Sequence, residues 1–432
     1  MKKRSIVPLV FALGLSALLI VRDVAGVGFS KYILFAYVVA VMVPVAYETA
    51  VYMTCFILPL VCGLPGTYVM PCILVLLVLK RGGVNLRQLL FIALIAVMEL
   101  VAALWYPRQN LALIVQYVSF AGVMLFLIHD KRELDYLRCV RLYLFGVVLL
   151  CGVIITVGLQ TAPKNWMDLF AKGWFRFGET QREETEGMSL ILNANSMAYY
   201  SITGIACGIL CAEKSKGWRR FIYIIVVVFL LAAGFLTVSR SWLLIAAGCL
   251  ALYFLSKLRS WKQLVPVVLV GGALVVIGIL WLNDNPYLLQ AFETRMEDDT
   301  VSTGGSRTVI FEQYMEYWVS DLRVFWLGVG VSQGNAVVNQ SWDVLGAMHN
   351  GLQQILVYCG LVGFVVYMAA LGIPVFGALK GKKQKLINWL PLIGWVVFVQ
   401  VIQFLNPCML MLPYVICIYA LRAGESTGSE TK

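Results

Sequence analysis

The chain has 432 residues, 61% of them hydrophobic and only 13% charged. Soluble globular domains carry roughly 25% charged residues, so this surplus of apolar side chains cannot be hidden in one core and must face lipid. The net charge of +11 raises nucleic acid as a partner, but its distribution, given below, excludes that reading.

In chain order, apolar runs fall near residues 5–21, 28–46, 50–63, 67–80, 88–105, 109–128, 139–158, 196–212, 221–237, 242–257, 264–282, 350–372, 387–404 and 407–421. They predict an all-α, polytopic helical membrane bundle of about 12–14 segments. No small-residue cleavage site follows the first run, which therefore reads as a retained helix. The third and fourth runs are short and are split by Gly63-Leu64-Pro65-Gly66, so half-helices or a tilted hairpin are expected there. The eleven cysteines lie in or beside apolar runs without CxxC spacing and read as small hydrophobes.

With the N-terminal Lys2, Lys3 and Arg4 placed in the cytoplasm, alternation sends the basic loops at 80–87, 130–138, 213–220, 256–262 and 379–385 inside as well. On this topology 23 of the 34 Lys and Arg side chains are cytoplasmic, a positive-inside bias. The positive charge thus orients the protein in a cytoplasmic (inner) membrane with both termini inside. His129, beside Asp130, Lys131 and Arg132, is read as part of a cytoplasmic loop. The divisions that follow are N-terminal helices over 1–158, an outer loop over 159–195 and central helices over 196–282. A large outer loop over 283–348, C-terminal helices over 349–421 and a tail over 422–432 complete the chain. Long connections are usually functional.

Within the large loop, RTVIFEQYMEYWVSDLRVFW (307–326) spaces Val309, Ile310, Tyr314, Trp318, Leu322, Phe325 and Trp326 at roughly helical intervals. An amphipathic helix at the membrane–water interface is expected, either as a brace or lid or as a grip on a lipid-borne substrate, ended by Gly328-Val329-Gly330. The outer side also holds Arg176, Arg182, Arg240, Arg295, Arg307 and Arg323. Arg240 follows Ser239 in a hairpin of a few residues between two spans, where it can be a functional residue or an interface anchor. Asn193 and Asn195 open the eighth span, where asparagine is also a good helix cap. Glu99 is the one acid inside an apolar run, a functional candidate or a partner for a neighbouring helix. His349 stands where the polar loop gives way to a long apolar run, with Asn350 beside it as a possible cap.

The order of these motifs carries a resemblance: N-x-N at a span start (193–195), T-x-S-R between spans (237–240), a long outer loop with G-S-R (305–307), a Trp-rich helix, G-x-G (328–330), then H-N (349–350) opening a helix with G-L-V-G (360–363). Over residues 193–363 the chain resembles the O-antigen ligase and polymerase superfamily of bacterial surface-polysaccharide assembly. It departs in having Ala194 where proline is frequent and Ser241-Trp242 after Arg240 where a small residue often follows. The resemblance implies a glycosyltransferase whose donor is a glycan on undecaprenyl diphosphate. Its acceptor would be another glycan, a lipid or a wall polymer, with other polysaccharide-assembly proteins as possible partners. It implies that Arg240 and Arg307, with Arg176, bind the diphosphate and that His349 acts on the acceptor. Asn193, Asn195, Ser239, Asn350 and Glu99 are then supporting residues.

The chemistry suits these residue types. Guanidinium forks bind phosphate bidentately and stay charged, and a neutral imidazole is available as a base near pH 7. No outer paired-acid motif demands a metal, and no cofactor is expected. A flippase for a lipid-linked intermediate is the alternative. It would place polar residues along the middle of several spans, where Glu99, Gln116, Gln400 and Gln403 stand, together with an internal repeat, of which there is no sign.

Overall fold

The structure, a computed structural model, describes residues 6–105, 111–161, 192–237, 239–257, 307–332, 348–379, 385–405 and 408–424, with a few single positions between them. Every regular element among them is helical. The N-terminal part runs α1 (Val7–Leu19, continued by a π turn, Ile20–Val24), α2 (Lys31–Met42), α3 (Tyr47–Ile57, continued by a 3₁₀ turn, Leu58–Gly63) and α4 (Gly66–Arg81). It continues with α5 (Leu86–Trp105), α6 (Leu111–Ile128) and α7 (Tyr136–Thr161). Then come α8 (Ala194–Glu213), α9 (Trp218–Phe235), α10 (Arg240–Lys257), α11 (Arg307–Ser320) and α12 (Leu322–Leu327). A long α13 (Gly351–Leu379), α14 (Leu386–Val399), a 3₁₀ turn (Cys408–Met411) and α15 (Pro413–Arg422) close the chain. Seven of the described helices are long and apolar enough to cross a membrane, and shorter apolar helices accompany them. The protein is an all-α, multi-pass membrane protein. The apolar run at 264–282 and most of the expected loop at 283–348 lie outside the described residues.

The helices sort by what surrounds them. Every described residue of α15 from Pro413 to Leu421 is buried, as are nearly all of α8 and the 3₁₀-extended α3. These form the centre, packed against α7 and α14. By contrast, Leu86, Leu104 and Leu244 are 80%, 81% and 78% exposed. Water would penalise such surfaces on helices this apolar, and a bilayer does not. All eleven cysteines are free.

Local sequence explains the ends. Asn85 and Gln88 exchange side-chain bonds with each other's backbone N–H (2.8 and 2.9 Å) at the start of α5, a reciprocal capping box. Gly82 ends α4 in a left-handed conformation. At the end of the bundle that carries the basic loops, cations cap helix carbonyls. Lys80 donates to the Val43 and Val45 carbonyls (2.7 and 2.6 Å). Arg422 donates to the carbonyls of Ile128 and Asp130. Asp130 accepts from Tyr47 and pairs with Arg81 at 3.0 Å. The basic residues at this end therefore also satisfy carbonyls that a helix leaves without an intrahelical donor.

His129 belongs to this network and not to an open loop. It is 6% exposed, stacks on Phe91 with ring centroids 5.0 Å apart, and its Nε2 lies 2.9 Å from the Ala370 carbonyl. The acceptor is a carbonyl, so Nε2 carries the proton. Burial pushes this imidazole down to about 4, against an ordinary value near 6.5. The denatured chain therefore binds a proton between about pH 6.5 and 4 that the native chain does not. This contribution to stability is complete above pH 6.5 and falls as pH drops towards 4. The melting temperature of the detergent-solubilised protein is expected to decline over that window and to decline less in His129→Gln, which keeps a donor but does not titrate. Equal slopes in the two proteins would contradict this assignment.

Candidate functional site

The site lies at the opposite end of the bundle from the basic loops. Asn350 caps α13, accepting the Gln353 N–H at 3.0 Å. That cap sets His349, half-buried, at the mouth of the helix. Ile310 and Phe311 of α11, His349, Asn350 and Gln353, and Gln400 with Val401 just beyond α14 line a pocket of about 110 Å³. Gln353 Nε2 donates to the Phe311 carbonyl at 2.7 Å and ties α11 to α13. Gln354 Oε1 accepts the backbone N–H groups of Phe404 and Leu405 (2.6 and 3.0 Å), clamping the segment beyond α14.

The 307–326 stretch is two helices. Asp321 stops the first and caps the second, accepting the Arg323 N–H at 2.7 Å. Trp318 stacks on Phe325 with centroids 4.6 Å apart and donates to its carbonyl at 3.2 Å, folding α12 back on α11. Tyr314 and Tyr317 are buried and Ile310 and Trp318 partly so, whereas Val309, Phe311, Leu322 and Trp326 are exposed. The expected stripe is thus divided between a face that packs on the bundle and a face left to the surroundings.

Past α12 the chain enters the bundle. Gly360 breaks α13 with φ 67°, which frees carbonyls that an intact helix would use. Val329 and Gly330 donate to the carbonyls of Val357 and Tyr358 (3.2 and 2.8 Å). The next N–H, that of Val331, goes to Glu99 Oε1 at 2.8 Å. Glu99 is six residues from the end of α5, about 9 Å by helical rise. Its partner is thus a re-entrant backbone segment and not a cation of a neighbouring helix. A β-carbon at Gly328 would lie 2.2 Å from the Tyr358 carbonyl oxygen, and one at Gly360 would lie 2.4 Å from the backbone of Trp326 and Leu327. Glycine is required on both sides of this crossing.

The other expected residues gather around the α9–α10 turn and the start of α8. Asn193 caps α8 through the Asn195 N–H (2.8 Å). Ser239, buried, accepts the Trp242 N–H at 3.4 Å at the start of α10, and Arg240 is half-buried beside it. The Trp242 indole donates to Ser201 Oγ of α8 at 3.1 Å. It lies over Gly234, where a β-carbon would come within 2.1 Å of the ring. Arg240 does not line the His349 pocket. It shares its end of the bundle, because α10 packs along α14 and Gly394 approaches Cys249. From that contact Arg240 is about 13 Å and Gln400 about 9 Å along their antiparallel helices. Arg307 opens α11 one turn before Ile310 and Phe311, its side chain outside the described residues, as is Arg176.

Reasoning from sequence passed over Gln353, Gln354 and Phe311, and it counted Gln400 among polar residues at depth. The structure ends α14 at Val399 and leaves Gln400 at the pocket. The Asn406-Pro407 pair downstream is the signal that this apolar run is interrupted.

Fold and pocket together define a multi-pass, all-α membrane protein with a pocket of mixed apolar and amide lining at one helix end, bordered by α11. Residues 225–368, one third of the chain, match the family model for O-antigen ligase. The match spans Arg240, Arg307 and His349, and it supports the O-antigen ligase/polymerase superfamily and a function of that type in polysaccharide assembly. No curated protein matches the chain.

Proposed function

We propose that this protein transfers an undecaprenyl-diphosphate-linked glycan to an acceptor hydroxyl on the outer face of the cytoplasmic membrane, without a metal. The reading is carried by His349 lining a pocket bordered by the helix that Arg307 opens. His349 takes the proton of the acceptor hydroxyl, and the oxygen bonds to the anomeric carbon. The bond from that carbon to the diphosphate breaks, and the diphosphate leaves with the electron pair. Arg240 and Arg307 hold the leaving group, with Arg176 as a further cation. Preorganised charge of this kind stabilises a developing anion without reorganising during the reaction.

The glycan profile of a deletion strain tests the function. Loss of long chains with single units still attached marks a polymerase, and intact lipid-linked chains that are never attached mark a ligase. An unchanged profile would refute both.

Two further outcomes are expected. Arg240→Lys and Arg307→Lys lose transfer nearly as severely as Arg→Ala at normal protein level, because a point charge does not replace a bidentate fork. Full activity in the lysine variants would reduce these positions to anchors. Cysteines introduced at Asn283 and Ser302, in a background freed of native cysteines, react with an impermeant thiol reagent in spheroplasts. Labelling only after lysis would reverse the orientation.

A further inference from the structure

Gln400 and Val401 lie outside the stretch that matches the O-antigen ligase family, yet they form one wall of the pocket that His349 lines. The described side chains around that pocket are an imidazole, three amides and apolar groups, none of them charged among the described residues. A phosphate is recognised by cationic forks. A pocket of amides against an aliphatic and an aromatic surface suits a ligand with neutral hydroxyls on one edge and C–H bonds on its face.

The amides are not equivalent. Asn350 Oδ1 is committed to the cap of α13, and Gln353 is tied through Nε2 to the Phe311 carbonyl, its oxygen without a partner among the described residues. Gln400 donates weakly, at 3.3 Å, to the Val396 carbonyl of its own helix. Its amide oxygen has no partner among the described residues. The backbone that carries it is held from both sides. Gln354 clamps Phe404 and Leu405, and Trp395 packs edge-on against the Phe404 ring, centroids 5.4 Å apart. An acceptor oxygen on a held segment, lining the same small pocket as His349, selects a ligand by where its hydroxyl lies.

We propose that Gln400 is a specificity-determining residue that accepts a hydrogen bond from an uncharged sugar hydroxyl in the His349 pocket. The choice of a sugar rests on the glycan-transfer reading.

The experiment uses the full chain in detergent and ligand-observed NMR. The probes are a panel of neutral methyl glycosides and, as an anion, inorganic pyrophosphate. Wild-type protein is expected to bind at least one glycoside, with no competition from pyrophosphate. Gln400→Leu weakens that binding by roughly three- to tenfold, the range for one neutral hydrogen bond. Gln400→Glu keeps an acceptor oxygen and stays near wild type. Gln400→Ser, smaller and polar, repeats the loss should the leucine protein unfold. Unchanged binding in the leucine and serine variants, displacement of the glycoside by pyrophosphate, or no glycoside bound by wild type would each overturn the proposal. Glycoside binding that depends on Gln400 in a protein that transfers no lipid-linked glycan would sink the function and leave this site standing. Transfer whose acceptor preference ignores Gln400 would do the opposite.

Discussion

Purified His349→Gln protein is expected to bind the lipid-linked donor as wild type does and to transfer it about 10²–10⁴-fold more slowly, the usual contribution of a positioned base. An amide can hydrogen-bond the acceptor hydroxyl but cannot take its proton. The substitution leaves the α13 cap with Asn350 and the link to α11 with Gln353. His349→Ala should fall at least as far. Donor binding and turnover measured on the same variants separate the roles. Near-normal turnover in His349→Gln would leave the imidazole as a hydrogen-bonding group only. Lost donor binding in His349→Ala would move it among the ligands of the diphosphate.

The second large effect concerns the crossing of residues 328–332 through α13. Glu99→Leu leaves the Val331 N–H buried without its acceptor, at a cost of about 1–3 kcal/mol. Glu99→Gln retains an oxygen at the same reach and should stay close to wild-type stability. Gly360→Val should exceed Glu99→Leu. It forces a β-branched residue to φ 67° and drives its β-carbon into the backbone of Trp326 and Leu327. Thermal unfolding in detergent orders the three variants. Equal stability of Glu99→Leu and Glu99→Gln would show that the carboxyl does not hold the segment. Because residues 328–332 link α11 and α12 to the stretch leading to His349, Glu99→Leu is also expected to lower transfer.

The two effects differ in how far the sequence foretold them. His349 stood out as a candidate through the family likeness of the ordered motifs from Asn193 to Gly363, since the residues alone favour a plain helix start there. Glu99 was legible as an anomaly only. An acid in an apolar run announces a partner but does not name it, and here the partner is a backbone N–H 232 residues away. The same holds for His129, which the sequence placed in a loop among charged neighbours. The packing of α5 and α13 around it buries the ring and leaves it neutral.

By itself the sequence determined the class of fold, the places where most helices begin and end, and candidate caps at Asn193 and Asn350. Those features arise from hydrophobic periodicity and from hydrogen bonds between residues two or three apart, both local. The tertiary structure alone decided which helices lie at the centre and which face the surroundings, since all are apolar and hydropathy does not distinguish protein neighbours from lipid. It decided that α13 is broken at Gly360, because a glycine reads as tolerable in a helix until another backbone occupies the space of its missing side chain. It also decided that Gln353 and Gln400 belong to the pocket. An amide's role is set by which groups across the pocket remain unpaired, and that is a property of chain segments far apart in sequence.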